Sequence, residues 1–249
     1  PETQRAQLSR QLRDPLSVTT AAGPRTSRSA DPAGTDTLAS ATTDAGYSLV
    51  RIYYATNRLR TDAIRPTDIY TADRGPLDYG TATVSVPKLH RPGALEAPSI
   101  FSFDLAEDPE RHLILRTVEP SDQSTVFGQM RDQLAASSSD EAFVFVHGFN
   151  VTFADAARRT AQIAYDMNFD GLPILYSWPS QGNIMGYLAD GAVVQLSGRL
   201  LSEFLEQVVA DSGATRIHLV AHSMGNRALT EALELFALRH AGEPRPSTR

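Results

Sequence analysis

The sequence contains no cysteine, a single lysine and no long apolar run, and each absence excludes a class of protein. Without cysteine, the chain has no disulfide framework and no thiolate metal site. Lys88 is the only lysine, and a formal net charge of -6 leaves no broad basic surface for nucleic acid. No apolar stretch reaches the roughly 18 residues that a transmembrane helix needs. The compartment stays open, with a periplasmic or secreted location among the alternatives, because periplasmic proteins can also lack cysteine.

The composition changes near residue 45. Residues 1–45 are rich in Ser, Thr, Ala, Pro and Gly without a sustained period, which predicts a disordered or linker-like segment. The remainder, 46–249, supplies most of the apolar residues and is predicted to fold as one domain. Because the chain begins without methionine and ends soon after a helical pattern, we expect it to be a C-terminally truncated piece of a longer protein.

The domain divides into two halves by pattern. Short strands separated by turns, typical of an antiparallel edge, are predicted at 47–54, 81–86, 99–105 and 112–117. After residue 139, buried strands alternate with helices, which favours a parallel sheet with right-handed crossovers. The predicted strands are 142–146, 172–176 and 216–221, and the predicted helices are 153–167, 187–209 and 224–238.

A strand, a sharp turn and a helix meet at the sequence Ala-His-Ser-Met-Gly, which ends at Gly225. Small residues flank Ser223 at two positions on each side, as a tight nucleophile elbow requires. Such a turn exposes the serine hydroxyl above the sheet and directs the Met224 amide toward the oxygen of an attacked carbonyl. Ser223 is therefore the predicted nucleophile, and Met224 is the predicted source of one oxyanion donor.

A His-Gly turn follows the first buried parallel strand, in Val-His-Gly-Phe-Asn at 146–150. In hydrolases built on an α/β sheet, the loop after this strand supplies the second oxyanion donor from its backbone. The predicted donor is the amide of Phe149, or that of Asn150 if the turn is one residue wider. Gly148 lets the backbone approach the substrate, and His147 is interpreted as a structural imidazole that holds the loop by hydrogen bonding.

Two aromatic residues lie where the next parallel strand ends, at the same predicted sheet edge. Tyr176 and Trp178 are placed to line an apolar acyl pocket, and packing within the loop is the equally weighted alternative. No metal or cofactor is predicted, because the six histidines include no pair at metal-ligand spacing beside a carboxylate.

Taken together, these motifs resemble a bacterial family of α/β-hydrolases of unknown function. The resemblance covers the chain from about residue 47 onward and rests on Tyr-Ala-Thr-Asn-Arg at 54–58, Phe-Val-His-Gly-Phe-Asn at 145–150, Leu-Tyr-Ser-Trp-Pro-Ser at 175–180, the pair Tyr187 and Asp190, and His-Leu-Val-Ala-His-Ser-Met-Gly-Asn-Arg at 218–227. It implies a lipase-like or esterase-like fold with Ser223 as the nucleophile. The expected architecture is a mostly parallel sheet flanked by helices, with antiparallel strands at the N-terminal edge and the C-terminal strands missing.

The triad of this fold runs Ser, then Asp or Glu, then His along the chain. No Asp follows Ser223, and His240 lies about 25 Å down the next helix, given about 1.5 Å of rise per residue. We therefore expect the acid and base beyond Arg249 and negligible ester hydrolysis by this chain alone.

The favoured hypothesis is a serine hydrolase that acts on small carboxylic esters or related acyl compounds through an acyl-enzyme. One alternative is a non-catalytic hydrolase-fold scaffold, and another is an acyltransferase or peptidase on the same fold. The sequence does not choose the substrate or the oligomeric state.

Overall fold

One mixed sheet organises the computed structural model, which describes residues 46–88, 112–180 and 187–241. In chain order, the described strands are β1 (Tyr47–Arg60), β2 (Tyr70–Pro87), β3 (Ile114–Ser121), β4 (Glu141–Val146), β5 (Leu172–Ser177) and β6 (Arg216–Ala221). They form a six-stranded sheet in the order β3-β2-β1-β5-β4-β6. The described helices are α1 (Gln123–Ala136), α2 (Phe153–Asp166), α3 (Tyr187–Asp211) and α4 (Gly225–Arg239), and a single 3₁₀ turn spans Pro66–Asp68.

The predicted antiparallel edge is confirmed. β2 pairs antiparallel with both β1 and β3, whereas β1 pairs parallel with β5. β1 and β2 are longer than predicted. Their pairing with each other extends both strands into polar and glycine-containing segments whose local sequence indicates turns. The register of this pair shifts between Thr56 and Arg58 and again between Arg58 and Arg60. Such bulges bend a strand and redirect its side chains.

The parallel half also matches its prediction. β5, β4 and β6 are parallel neighbours, with α2 between β4 and β5 and α3 between β5 and β6. Thr152 caps α2 by accepting a hydrogen bond from the amide of Asp155. The predicted strand at 99–105 and the predicted linker at 1–45 lie outside the described residues, and all described residues belong to the unit Asp36–Arg249.

Helix α1 was not predicted. Its polar residues and Gly128 obscure the helical period in the sequence, yet its apolar side chains Val126, Phe127 and Met130 are buried against the sheet. The available signal was Asp122, which caps the helix by accepting from the Thr125 amide. Tertiary burial therefore selected a helix where the local sequence pattern was weak.

The core lies on both faces of the sheet. Alternation along β4 sends Val144 and Val146 to one face, which α1, α3 and α4 cover, and sends Phe143 and Phe145 to the other, which α2 covers. β6 forms the edge of the described sheet, and its residues alternate between half-buried and exposed. None of the helices in the described ranges combines the length and the apolar character required to cross a bilayer.

Candidate functional site

Ser223 lies in the turn where β6 runs directly into α4. Its φ of 50° falls in the left-handed region, which residues other than glycine rarely adopt. A serine held in this strained conformation between a strand and a helix is the geometry of a nucleophile elbow. The residue is exposed, so its hydroxyl faces solvent above the carboxyl edge of the parallel strands.

The His-Gly turn after β4 touches this elbow directly. A Cβ placed on Gly148 would lie 3.0 Å from the Cβ of Ser223 and 2.7 Å from Nδ1 of His222. The amide of His222 also donates to the carbonyl oxygen of Val146 at 3.1 Å. Two motifs that are far apart in the sequence therefore meet, because β4 and β6 are parallel neighbours that end at the same edge.

On its helix side, the elbow is equally close to β4. A Cβ on Gly225 would lie 2.4 Å from the carbonyl oxygen of His147 and 2.6 Å from that of Val146. Both oxygens are backbone atoms at the end of β4. This strand pairs on both sides, so it cannot move away without breaking hydrogen bonds to its neighbours. Glycine at this position is required by the close approach of α4 to β4.

The predicted oxyanion donors flank this contact. Met224 is the N-cap residue of α4, so its amide lies at the start of that helix. An amide at a helix N-terminus is suited to bind an anion. Phe149 is half-buried, and its amide belongs to the peptide that follows Gly148. Asn226 stabilises the turn by donating from Nδ2 to the carbonyl oxygen of Ser223 at 3.1 Å.

His147 is buried and structural in its contacts. Its Nδ1 lies 2.9 Å from the Gly148 carbonyl oxygen, its Nε2 lies 3.1 Å from Ser177 Oγ, and its ring stacks on Trp178. Burial, together with the positive charge of Arg58, lowers the pKa of His147 to about 3. The imidazole is therefore neutral at physiological pH and holds the loop.

Replacing His147 with glutamine is expected to weaken the pH dependence of the free energy of unfolding. The pKa of histidine is about 6.5 in an unfolded chain but about 3 in the folded protein. Stabilisation by the neutral ring is complete above about pH 6.5, decreases as the pH falls, and is lost as the pH passes through the folded pKa. Urea unfolding of the wild type and His147→Gln between about pH 7 and pH 4 measures this slope.

His240→Gln is the control for this experiment, because it also removes one histidine and lies at the end of α4, away from the elbow. An unchanged slope in His147→Gln relative to the wild type would contradict the burial argument.

Neither predicted pocket aromatic has any exposed surface. Tyr176 is fully buried and donates to the carbonyl oxygen of Ser197 at 2.9 Å. Trp178 is also fully buried, and its Nε1 donates to the carbonyl oxygen of His147 at 2.8 Å. These placements favour loop packing, the alternative weighed from the sequence, over direct substrate contact. Trp178 supports the site indirectly through its stacking and hydrogen bond on His147.

A cavity of about 430 Å³ opens beside the elbow on the α2 side of β6. Its lining is mainly apolar, and the charged residues Asp155 and Arg159 also belong to it. The apolar side chains include Phe145, Val151, Ile163 and Val220. Because Ser223 is not in this lining, the cavity adjoins the elbow without containing its serine.

Sequence reasoning gave Arg58 no role, although this residue ends one of the motifs in the resemblance. Its side chain is buried in the structure and reaches the loops that follow both β4 and β5. A buried arginine cannot be recognised from composition or periodicity, because arginine is usually exposed. The only signal was its position in the Tyr-Ala-Thr-Asn-Arg motif.

Two histidines that follow the start of β6 lie away from Ser223. His218 is exposed rather than buried and pairs with Glu141 at 3.0 Å, near the opposite end of the strands. His240 packs on Phe236 at the far end of α4. The described residues also contain no cluster of three metal-ligating side chains.

The mixed sheet, its crossover helices and the strained turn at Ser223 define an α/β-hydrolase fold. Residues 122–245 match the model of a family described as alpha/beta hydrolase of unknown function (DUF900). This match includes the His-Gly turn and the elbow, and over these residues it supports the resemblance to an α/β-hydrolase family of unknown function. Comparisons with curated proteins and with solved structures give no significant match.

Proposed function

We propose that the protein is a serine hydrolase that cleaves small carboxylic esters or related acyl compounds through an acyl-enzyme on Ser223. The observation that carries this proposal is the contact between Gly148 and a serine with a φ of 50°. It supports an arrangement in which the nucleophile and a loop rich in backbone donors face the same carbonyl group. The mainly apolar cavity beside them is consistent with an apolar acyl or alcohol group.

Each site residue has a defined task in this proposal. The Ser223 oxygen attacks the ester carbonyl carbon while its proton passes to a general base, and the carbonyl oxygen becomes an anion. The amides of Met224 and Phe149 stabilise that anion. When the carbonyl re-forms, the alcohol leaves with the proton, and water then releases the acid from Ser223. The base and its acid partner are proposed to lie outside the described residues.

Labelling of Ser223 tests the proposal without requiring turnover. The chain is incubated with a fluorophosphonate, intact mass is recorded over time, and peptide mapping locates the adduct. We expect a single adduct on Ser223 and none in Ser223→Ala. Added imidazole should increase the labelling rate about tenfold, because a positioned base contributes about 10²-fold or more and a diffusing one recovers part of this effect.

Ser202→Ala is the matched control, since it makes the same chemical change at a fully buried serine on α3. It should be labelled at the wild-type rate. If adducts form on several surface residues, to the same extent in the wild type and in Ser223→Ala, the proposal is wrong. That result would favour the alternative of a non-catalytic scaffold on the same fold.

A further inference from the structure

Arg58 is buried and contacts three segments: β2, the loop after β4 and the loop after β5. It lies at the β1 bulge and is 2% exposed. Its Nη2 donates to the Val151 carbonyl oxygen at 2.8 Å, beyond the His-Gly turn. Its Nη1 donates to the carbonyl oxygens of Thr71 at 3.1 Å and Ser180 at 3.2 Å. The loops after β4 and β5 are thereby fastened to the same guanidinium group.

A further guanidinium contact begins a directed series of hydrogen bonds. Nε of Arg58 lies 2.9 Å from Ser177 Oγ, which lies 3.1 Å from Nε2 of His147. A guanidinium can only donate, so the Ser177 oxygen accepts from Arg58. Its one hydroxyl proton is then available for Nε2 of His147. The Gly148 carbonyl oxygen, 2.9 Å from Nδ1, can only accept, so the neutral imidazole carries its proton on Nδ1 and its Nε2 accepts from the Ser177 hydroxyl.

The last acceptor in this series of hydrogen bonds, the Gly148 carbonyl oxygen, belongs to the peptide that contains the proposed oxyanion donor. The carbonyl of Gly148 and the amide of Phe149 form one planar unit, and in a trans peptide they point in opposite directions. Holding the carbonyl toward His147 therefore orients the Phe149 N–H away from it. A hydrogen bond on the carbonyl oxygen also polarises the N–H of the same peptide and makes it a stronger donor.

We propose that Arg58 is a positioning residue for the oxyanion hole, acting through Ser177 and His147 on the Gly148–Phe149 peptide. This inference rests on the proposed function of Ser223 and extends it to a residue on the first strand. The proposal predicts two properties that a purely stabilising role would not produce. His147 is protonated on Nδ1, and loss of the hydrogen bonds through Ser177 lowers the rate of reaction at Ser223 without weakening ligand binding.

The tautomer is measured directly by ¹⁵N NMR of the histidine side chains in the full chain, with His147→Gln used to assign the resonance. The expected spectrum of the wild type shows the proton on Nδ1 and Nε2 as an acceptor. In Arg58→Met, the Ser177 hydroxyl loses the donor that orients its proton toward His147, so we expect a second population of His147 with the proton on Nε2. A wild-type His147 protonated on Nε2 would overturn the proposal.

The kinetic test follows Ser223 labelling by a fluorophosphonate in the presence of imidazole. Ser177→Ala removes the link while leaving Arg58 in place, and it should lower the maximal labelling rate about tenfold with an unchanged half-saturating concentration. Complete loss of an oxyanion donor costs about 10²- to 10³-fold, and misorientation is a part of that loss. A wild-type rate in Ser177→Ala would contradict the proposal.

A double variant tests whether Arg58 acts through its hydrogen bond to Ser177 or only by stabilising the fold. If Arg58 acts through Ser177, adding Arg58→Met to Ser177→Ala should lower the labelling rate no further, because coupled residues are not additive. Arg158→Met is the control for removing another mostly buried arginine and should be labelled normally. If the wild type is not labelled on Ser223, the proposed function fails, and the His147 tautomer alone decides whether the hydrogen-bond chain exists.

Discussion

Substitution of Gly225 by alanine is expected to lower the free energy of unfolding by about 2–3 kcal/mol and to abolish labelling of Ser223. The added methyl group would lie 2.4 Å from the carbonyl oxygen of His147 and 2.6 Å from that of Val146. Both oxygens belong to the backbone where β4 ends, so α4 must move instead, and overpacking of this kind costs about 1–3 kcal/mol. Moving α4 also moves the elbow. Urea unfolding followed by circular dichroism, together with intact-mass labelling, measures both effects.

Gly128→Ala is the matched control for this substitution. Gly128 lies within α1, and the nearest atom to an added Cβ is 3.9 Å away. Because alanine favours a helix over glycine by about 0.5–1 kcal/mol, this variant should be neutral or slightly more stable. Equal stability of Gly225→Ala and the wild type would show that the close approach of α4 to β4 is not required.

Replacing Trp178 with alanine is expected to lower the free energy of unfolding by about 3–5 kcal/mol, the usual cost of truncating a buried large aromatic residue. Trp178 is fully buried, and its ring stacks on His147 with centroids 5.2 Å apart. Its indole N–H also donates to the His147 carbonyl oxygen, which would lose this partner. The variant should therefore label more slowly at Ser223 as well, because the loop that carries Phe149 loses its support.

Trp178→Phe divides this effect into two parts. It retains most of the apolar contact and removes the N–H donor, so we expect a loss of about 1–2 kcal/mol. Trp178 is the only tryptophan in the chain, so its fluorescence reports on this site in the wild type, and the variants are followed by circular dichroism. A loss below about 1 kcal/mol in Trp178→Ala would contradict the packing described for this loop.

Elements that depend on local interactions were predicted correctly from the sequence, whereas elements that depend on contacts between distant residues were missed. The parallel strands and their crossover helices were predicted because each has a strong local period, and both motifs lie at strand ends as expected. Helix α1 was missed because its local signal is weak and burial of Phe127 and Met130 decides it. The extensions of β1 and β2 were missed because each depends on pairing with the other strand.

The role of Tyr176 and Trp178 could not be decided from position along the strand. Sequence places both at the correct edge of the sheet, but an aromatic ring there can face a ligand or fill the interior. Burial of the two rings and their hydrogen bonds to Ser197 and His147 favour the interior. Sequence patterns report which residues are apolar, whereas the surrounding layers determine which of them remain exposed.

The sequence by itself determined the class of fold and the identity of Ser223 as the candidate nucleophile, since a buried strand, a turn of small residues and a helix are encoded within a few adjacent positions. Only the tertiary structure decided how the site is held together. The contact of Gly148 with the elbow, and the hydrogen bonds that link Arg58 to His147 through Ser177, join residues from different strands and the loops that follow them. Their positions depend on strand order and register, which are set by long-range packing rather than by any local segment.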